Sequence, residues 1–70
     1  MKSKKEIKKE YRIKVQNILI ELKKRFTYDE ISEKINIDRN ILSGIVNKWE
    51  FFYISVDKLK IIEKSLNLYF

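Results

Sequence analysis

Glu30 and Glu33 fall one helical turn apart, a spacing at which two carboxylates could share proton-transfer work. Such a pair becomes catalytic only beside a nucleophile, an imidazole or a metal, and the 70-residue chain has no cysteine and no histidine. Disulfides, zinc fingers, thiol nucleophiles and imidazole acid–base chemistry are therefore excluded. The pair reads as solvated charge, no cofactor is expected, and an enzyme is the weakest functional class.

A different chemistry is concentrated between Arg39 and Lys48. Projected as a helix at about 100° per residue, Leu42, Ile45, Val46 and Trp49 fall on one side, with Ile41 at the border. Arg39, Asn40, Ser43, Gly44, Asn47 and Lys48 fall on the other. This polar side holds no acid, whereas the segment before it carries Asp29, Glu30 and Glu33. Asn, Ser and Gly each weaken a helix by several tenths of a kcal/mol relative to Ala, Glu or Lys, so helix stability did not select them. They are the types a reader of base edges needs: Arg pairs with guanine, Asn with adenine, and Ser with base or phosphate. Gly44 would let the backbone approach a groove. The candidate base-reading set is thus Arg39, Asn40, Ser43, Gly44 and Asn47. The alternative is an ordinary amphipathic helix in which Gly44 permits close packing and Asn47 prepares the end.

Such a set must be held by neighbouring elements, and the sequence marks their starts. Thr27 followed by Glu30 is a capping box, with Phe26 placed to staple onto Ile31, which predicts a helix over about 28–35. Asp38 caps the next helix, which runs to about Lys48, with Ile37 meeting Leu42. Asn36 lies between the two, at a tight turn that needs one left-handed residue. Ser55 starts a further helix to about Leu66, with Ile54 meeting Leu59, Asn67 as a left-handed cap and Leu68 folding back. Upstream, Ile7, Tyr11, Val15, Ile18, Leu22 and Phe26 recur at spacings of three and four, which predicts a long helix over about 4–25. Trp49 to Ile54 reads as a loop packed on the core. Its aromatics, Trp49, Phe51, Phe52 and Tyr53, are better suited to the core than to base stacking.

The net charge of +6 implies a polyanionic partner, and seven of the sixteen cations lie in residues 1–14 against only two acids. That segment, with Lys4, Lys5 and Lys8, is either an arm gripping phosphates or a solvated helix end. No stretch has the roughly 18–20 apolar residues of a membrane span, and the Lys-rich start lacks the apolar core of a signal peptide. A cytoplasmic protein without a membrane partner is expected.

From Thr27 to Leu68 the chain resembles the Cro/C1-type (lambda-repressor-like) helix-turn-helix family. Glu30-Ile31-Ser32-Glu33-Lys34-Ile35-Asn36 is similar to its E-L-A-x-x-x-G pattern, with Ser32 at the small-residue position and Asn36 for the turn glycine. Leu59, Ile62, Leu66, Asn67 and Leu68 match its closing helix. The resemblance implies that Arg39, Asn40, Ser43 and Gly44 face bases, that Asn47 and Lys48 lie nearer the DNA backbone, and that Thr27 and Tyr28 meet a phosphate at a helix start.

The expectation is one all-α, compact four-helix helix-turn-helix domain over residues 1–70, with a long basic first helix and its helix-turn-helix at 27–49. Its expected function is sequence-specific binding of double-stranded DNA as a small repressor-like transcriptional regulator, located on DNA in the cytoplasm. Regulators of this kind commonly pair, and Ile61, Leu68, Tyr69 and Phe70 are the expected homodimer surface, with Ile13 and Ile20 also outward on the first helix. The rival is a protein-interaction module, an inhibitor or adaptor, docking a partner through an exposed Phe51-Phe52-Tyr53 loop.

Overall fold

The computed structural model describes residues 2–51 and 53–70, and for Phe51 its backbone alone. The chain is all-α. Helix α1 spans Lys4–Leu22, α2 Tyr28–Ile35, α3 Arg39–Asn47 and α4 Val56–Tyr69, with a single 3-10 turn at Trp49–Phe51 between the last two. Among the described residues there is no strand, and no helix is long and apolar enough to cross a membrane.

Local chemistry sets the starts. Thr27 Oγ1 accepts from the Glu30 amide at 3.2 Å, and Glu30 Oε1 accepts from the Thr27 amide at 3.0 Å, which closes the capping box. Asp38 accepts from the Asn40 amide at 2.7 Å and Ser55 from that of Lys58 at 3.2 Å. Ser3 caps α1 in the same way through the Glu6 amide, a polar cap visible in the sequence that its basic surroundings obscured.

Between α2 and α3 the chain turns on Asn36, at φ 57° and ψ 42°, the one positive φ among the described residues. Its amide bonds the Ser32 carbonyl, as does that of Ile37 at 3.2 Å, so the turn supplies donors to a carbonyl of the last turn of α2, where helix carbonyls lack partners. A left-handed residue with a Cβ costs about 1–2 kcal/mol unless it is Asn or Gly. Asn36→Ala is therefore expected to lower the urea midpoint by an amount equivalent to about 1 kcal/mol, and Asn36→Gly to leave it nearly unchanged.

Two helix ends differ from expectation. Helix α1 stops at Leu22, where the Lys24 and Arg25 amides turn back onto Glu21 and Leu22 in a tighter closing turn. Helix α4 continues to Tyr69, so Asn67 is helical and Leu68 does not fold back. The Phe70 amide still bonds the Leu66 carbonyl, and the Phe70 ring meets Phe26 edge-on at 5.2 Å between centroids, which holds this last turn closed.

Helices α1 and α2 each pack against both α3 and α4, so α3 and α4 lie across the core from one another. The core is aliphatic: Val15 and Leu19 from α1, Ile31 and Ile35 from α2, Leu42 and Ile45 from α3, and Leu59, Ile62 and Leu66 from α4. Ile37 and Ile54, each just ahead of a capped helix, are buried as their staples require. Leu19 is fully buried, whereas Ile18, the expected stripe residue, packs only partly.

Candidate nucleic-acid interface

Helix α3 buries Leu42 and Ile45, and this fixes which way its other residues point. Arg39, Asn40, Asn47 and Lys48 are exposed and Ser43 is half-buried. Gly44 departs from expectation: it is buried, so its backbone does not reach a ligand on the outer face. Helix α1 closes this side of α3, because the Gln16 side-chain amide crosses to donate to the Ile45 carbonyl at 2.7 Å. Glycine at 44 serves close packing of helices, and the base-reading role expected of it is withdrawn.

Arg39, Asn40 and Ser43 line a shallow cleft of about 360 Å³ with Lys23, Thr27, Tyr28 and Asp29. Asn47 is tied to the same group, its Nδ2 donating to Ser43 Oγ at 3.4 Å and weakly to Tyr28 Oη at 3.5 Å. Lys23 Nζ stands 4.3 Å from the centre of the Tyr28 ring. The end of α1, the start of α2 and the outer face of α3 thus converge on one surface rich in amide, hydroxyl and cationic donors. Sequence reasoning missed Lys23 because it lies beyond the α2–α3 unit. Its signal was its position just past the predicted inward residue Leu22.

Two contacts change the reading of the cleft. Arg39 Nη1 donates to Asp29 Oδ1 at 2.9 Å and Oδ2 at 3.3 Å, an ion pair across the α2–α3 junction. Both partners remain about two-thirds exposed, so the pair is worth at most about 1 kcal/mol and opens readily for a better acceptor. Thr27 is a correction. Its amide and hydroxyl are both committed to Glu30, and carboxylates at Asp29 and Glu30 already occupy the positive end of the α2 dipole. Two carboxylates therefore already occupy that helix end, and the cation and hydroxyl left at this corner are those of Lys23 and Tyr28.

The basic residues of α1 divide. Lys4 faces a groove shared with Tyr53, Asp57 and Lys60 on the α4 side. Lys5 and Lys8 also line a separate cleft of about 430 Å³ with Lys9, Arg12 and Trp49. Trp49 is half-buried under cations, with Arg12 Cζ 5.1 Å and Lys8 Nζ 5.7 Å from its ring centre. Tyr53, expected in the core, is 89% exposed with Lys8 Nζ 4.8 Å from its ring. The chain leaves α3 through the 3-10 turn with Trp49 half-buried, and Tyr53 beyond it turns to solvent beside Lys8. Phe52 lies outside the described residues, as does the Phe51 side chain.

On α4, Ile61, Leu68, Tyr69 and Phe70 are exposed, and on α1 so are Ile13 and Ile20. Phe70 spends part of its surface on Phe26 of its own chain. Among the described residues no cluster of acidic side chains could hold a metal ion. No protein-family model, curated protein or solved structure matches this chain.

Proposed function

We propose that this chain is a sequence-specific double-stranded DNA-binding protein of the Cro/C1-like helix-turn-helix kind, a small repressor-like regulator that presents α3 to the major groove. One observation carries the reading: α3 turns outward an acid-free face of Arg39, Asn40, Ser43 and Asn47, held against a rigid core. Those side chains match the donor and acceptor pattern of purine edges, and at about 12 Å the major groove admits a helix. Lys23, Tyr28 and Lys48 flank the face and would position it through the phosphates. Its place of action would be on cytoplasmic DNA, with no chemistry of its own.

A homodimer belongs to the proposal, because Ile61, Leu68 and Tyr69 leave apolar side chains more than half exposed along α4. The test is selection of bound fragments from a random duplex library, followed by sequencing. An enriched site supports the reading, and two inverted half-sites about one helical turn apart require two copies, whereas one half-site requires one. Failure to enrich any sequence overturns it in favour of a protein-docking module, whose mark in this chain is exposed Tyr53.

A further inference from the structure

The α3-facing edge of α1 is the strongest charged feature left without a role. Gln16 reaches Ile45, Arg12 lies over Trp49 just past the end of α3, and Lys23 joins Asn40 at its start. The two helices therefore run antiparallel, side by side. Projected from buried Val15, residues Lys5, Lys9, Arg12, Gln16 and Lys23 all fall between about 60° and 120°, one continuous edge beside α3. Among the described residues none of these cations has a carboxylate within ion-pair distance: Lys2 takes Glu10, Lys24 takes Glu21 and Arg39 takes Asp29.

The Arg12 guanidinium is the fixed point of the edge. It lies over the indole of Trp49, and its Nε is buried without an acceptor. A cation held on an aromatic face keeps its charge and its unspent donors in one place instead of sampling solvent. Lys9 and Lys5 follow it at one-turn spacings along α1. From Lys5 to Arg12 the edge covers about 11 Å at roughly 1.5 Å per residue. Three cations spread over that length can each neutralise a phosphate of a strand running beside them.

We infer that the Lys5, Lys9 and Arg12 edge of α1 is a phosphate rail. It tracks one strand of the duplex alongside α3, while Lys23 and Tyr28 meet the backbone at the opposite end of the same face. This rests on the proposed placement of α3 against DNA, and adds that α1 takes part in binding as a rigid helix edge instead of as a loose terminal arm. The rail supplies affinity without sequence preference, because phosphates carry no base identity.

The experiment compares two triple variants that lower the net charge equally. Lys5→Gln, Lys9→Gln and Arg12→Gln strip the rail; Lys34→Gln, Lys60→Gln and Lys64→Gln remove exposed cations from α2 and α4. Binding to the enriched duplex and to a scrambled duplex is titrated over a range of salt concentrations. The rail variant is expected to lose about 2.7 from the slope of log affinity against log salt, at roughly 0.9 per phosphate, equally for both duplexes. The α2 and α4 variant is expected to change it by less than 1. Equal changes in the two variants, or an unchanged slope in the rail variant with the enriched site retained, overturn the rail. If no sequence is enriched yet the rail variant alone loses slope on scrambled duplex, the base-reading proposal falls and the rail stands. Should the rail variant unfold by circular dichroism, Lys5→Gln with Lys9→Gln, both exposed, against Lys60→Gln with Lys64→Gln carries the same test with an expected loss of about 1.8.

Discussion

Leu19→Ala is expected to remove about half of the folding free energy and to lower the melting temperature by on the order of 10–30 °C. A 70-residue domain at roughly 0.05–0.15 kcal/mol per residue holds only about 4–10 kcal/mol in total. Leu19 is fully buried on α1, which packs against both α3 and α4. Truncating such a leucine costs about 2–5 kcal/mol, part for lost transfer free energy and part for the cavity, and a core this thin collapses poorly around a hole. Ile18→Ala is the comparison. Ile18 packs against the core only partly, so its loss is expected to cost less than half as much. Thermal denaturation followed by circular dichroism separates the two, and a larger shift for Ile18→Ala would mean that α1 sits rotated by a residue from the packing described.

The difference between these neighbours shows where sequence reasoning stops. Starts of helices were legible because caps are local: Thr27 with Glu30, Asp38 with Asn40 and Ser55 with Lys58 act across two or three residues. Asn36 was legible for the same reason, since the left-handed turn is a property of that residue and its immediate frame. The facing of α1 was not local. Spacings of three and four admit both an Ile18 and a Leu19 stripe, and the choice is made by α3 and α4 pressing on two flanks of one helix. Gly44 was misread for a related reason. On a wheel it falls on the polar side of α3, but α1 closes the edge of that side at Gly44, and no property of residues 39–48 announces the approach of Gln16 from 29 positions away. The same limit hid the cations over Trp49, which join α1 to the turn after α3, and the Arg39 to Asp29 pair. What the outer face of α3 contains was readable; what surrounds it was not.

Replacing Arg39 and Asn40 together by alanine is expected to abolish preference for the enriched site while leaving the fold intact. Each bidentate contact to a base contributes about 1–3 kcal/mol of discrimination, so the pair accounts for roughly 30-fold to 10⁴-fold between the preferred site and a scrambled one. Both residues are exposed at the first turn of α3, and substitutions at such positions shift stability by about 0.5 kcal/mol or less. The Asn40 side chain makes no hydrogen bond among the described residues; its amide alone is held by Asp38, so the carboxamide is free to meet a purine. Arg39 must first leave Asp29, an exposed exchange that costs little. That competition gives the prediction a second sign. Asp29→Asn keeps the shape of the corner, frees the guanidinium and removes a negative charge from the cleft, so it is expected to tighten binding several-fold where the double alanine variant weakens it. Competition titration against scrambled duplex reads both. Loss of affinity in Asp29→Asn would mean that the carboxylate aims Arg39 at its target, and a double variant that still prefers the site would move base reading to Ser43 and Asn47.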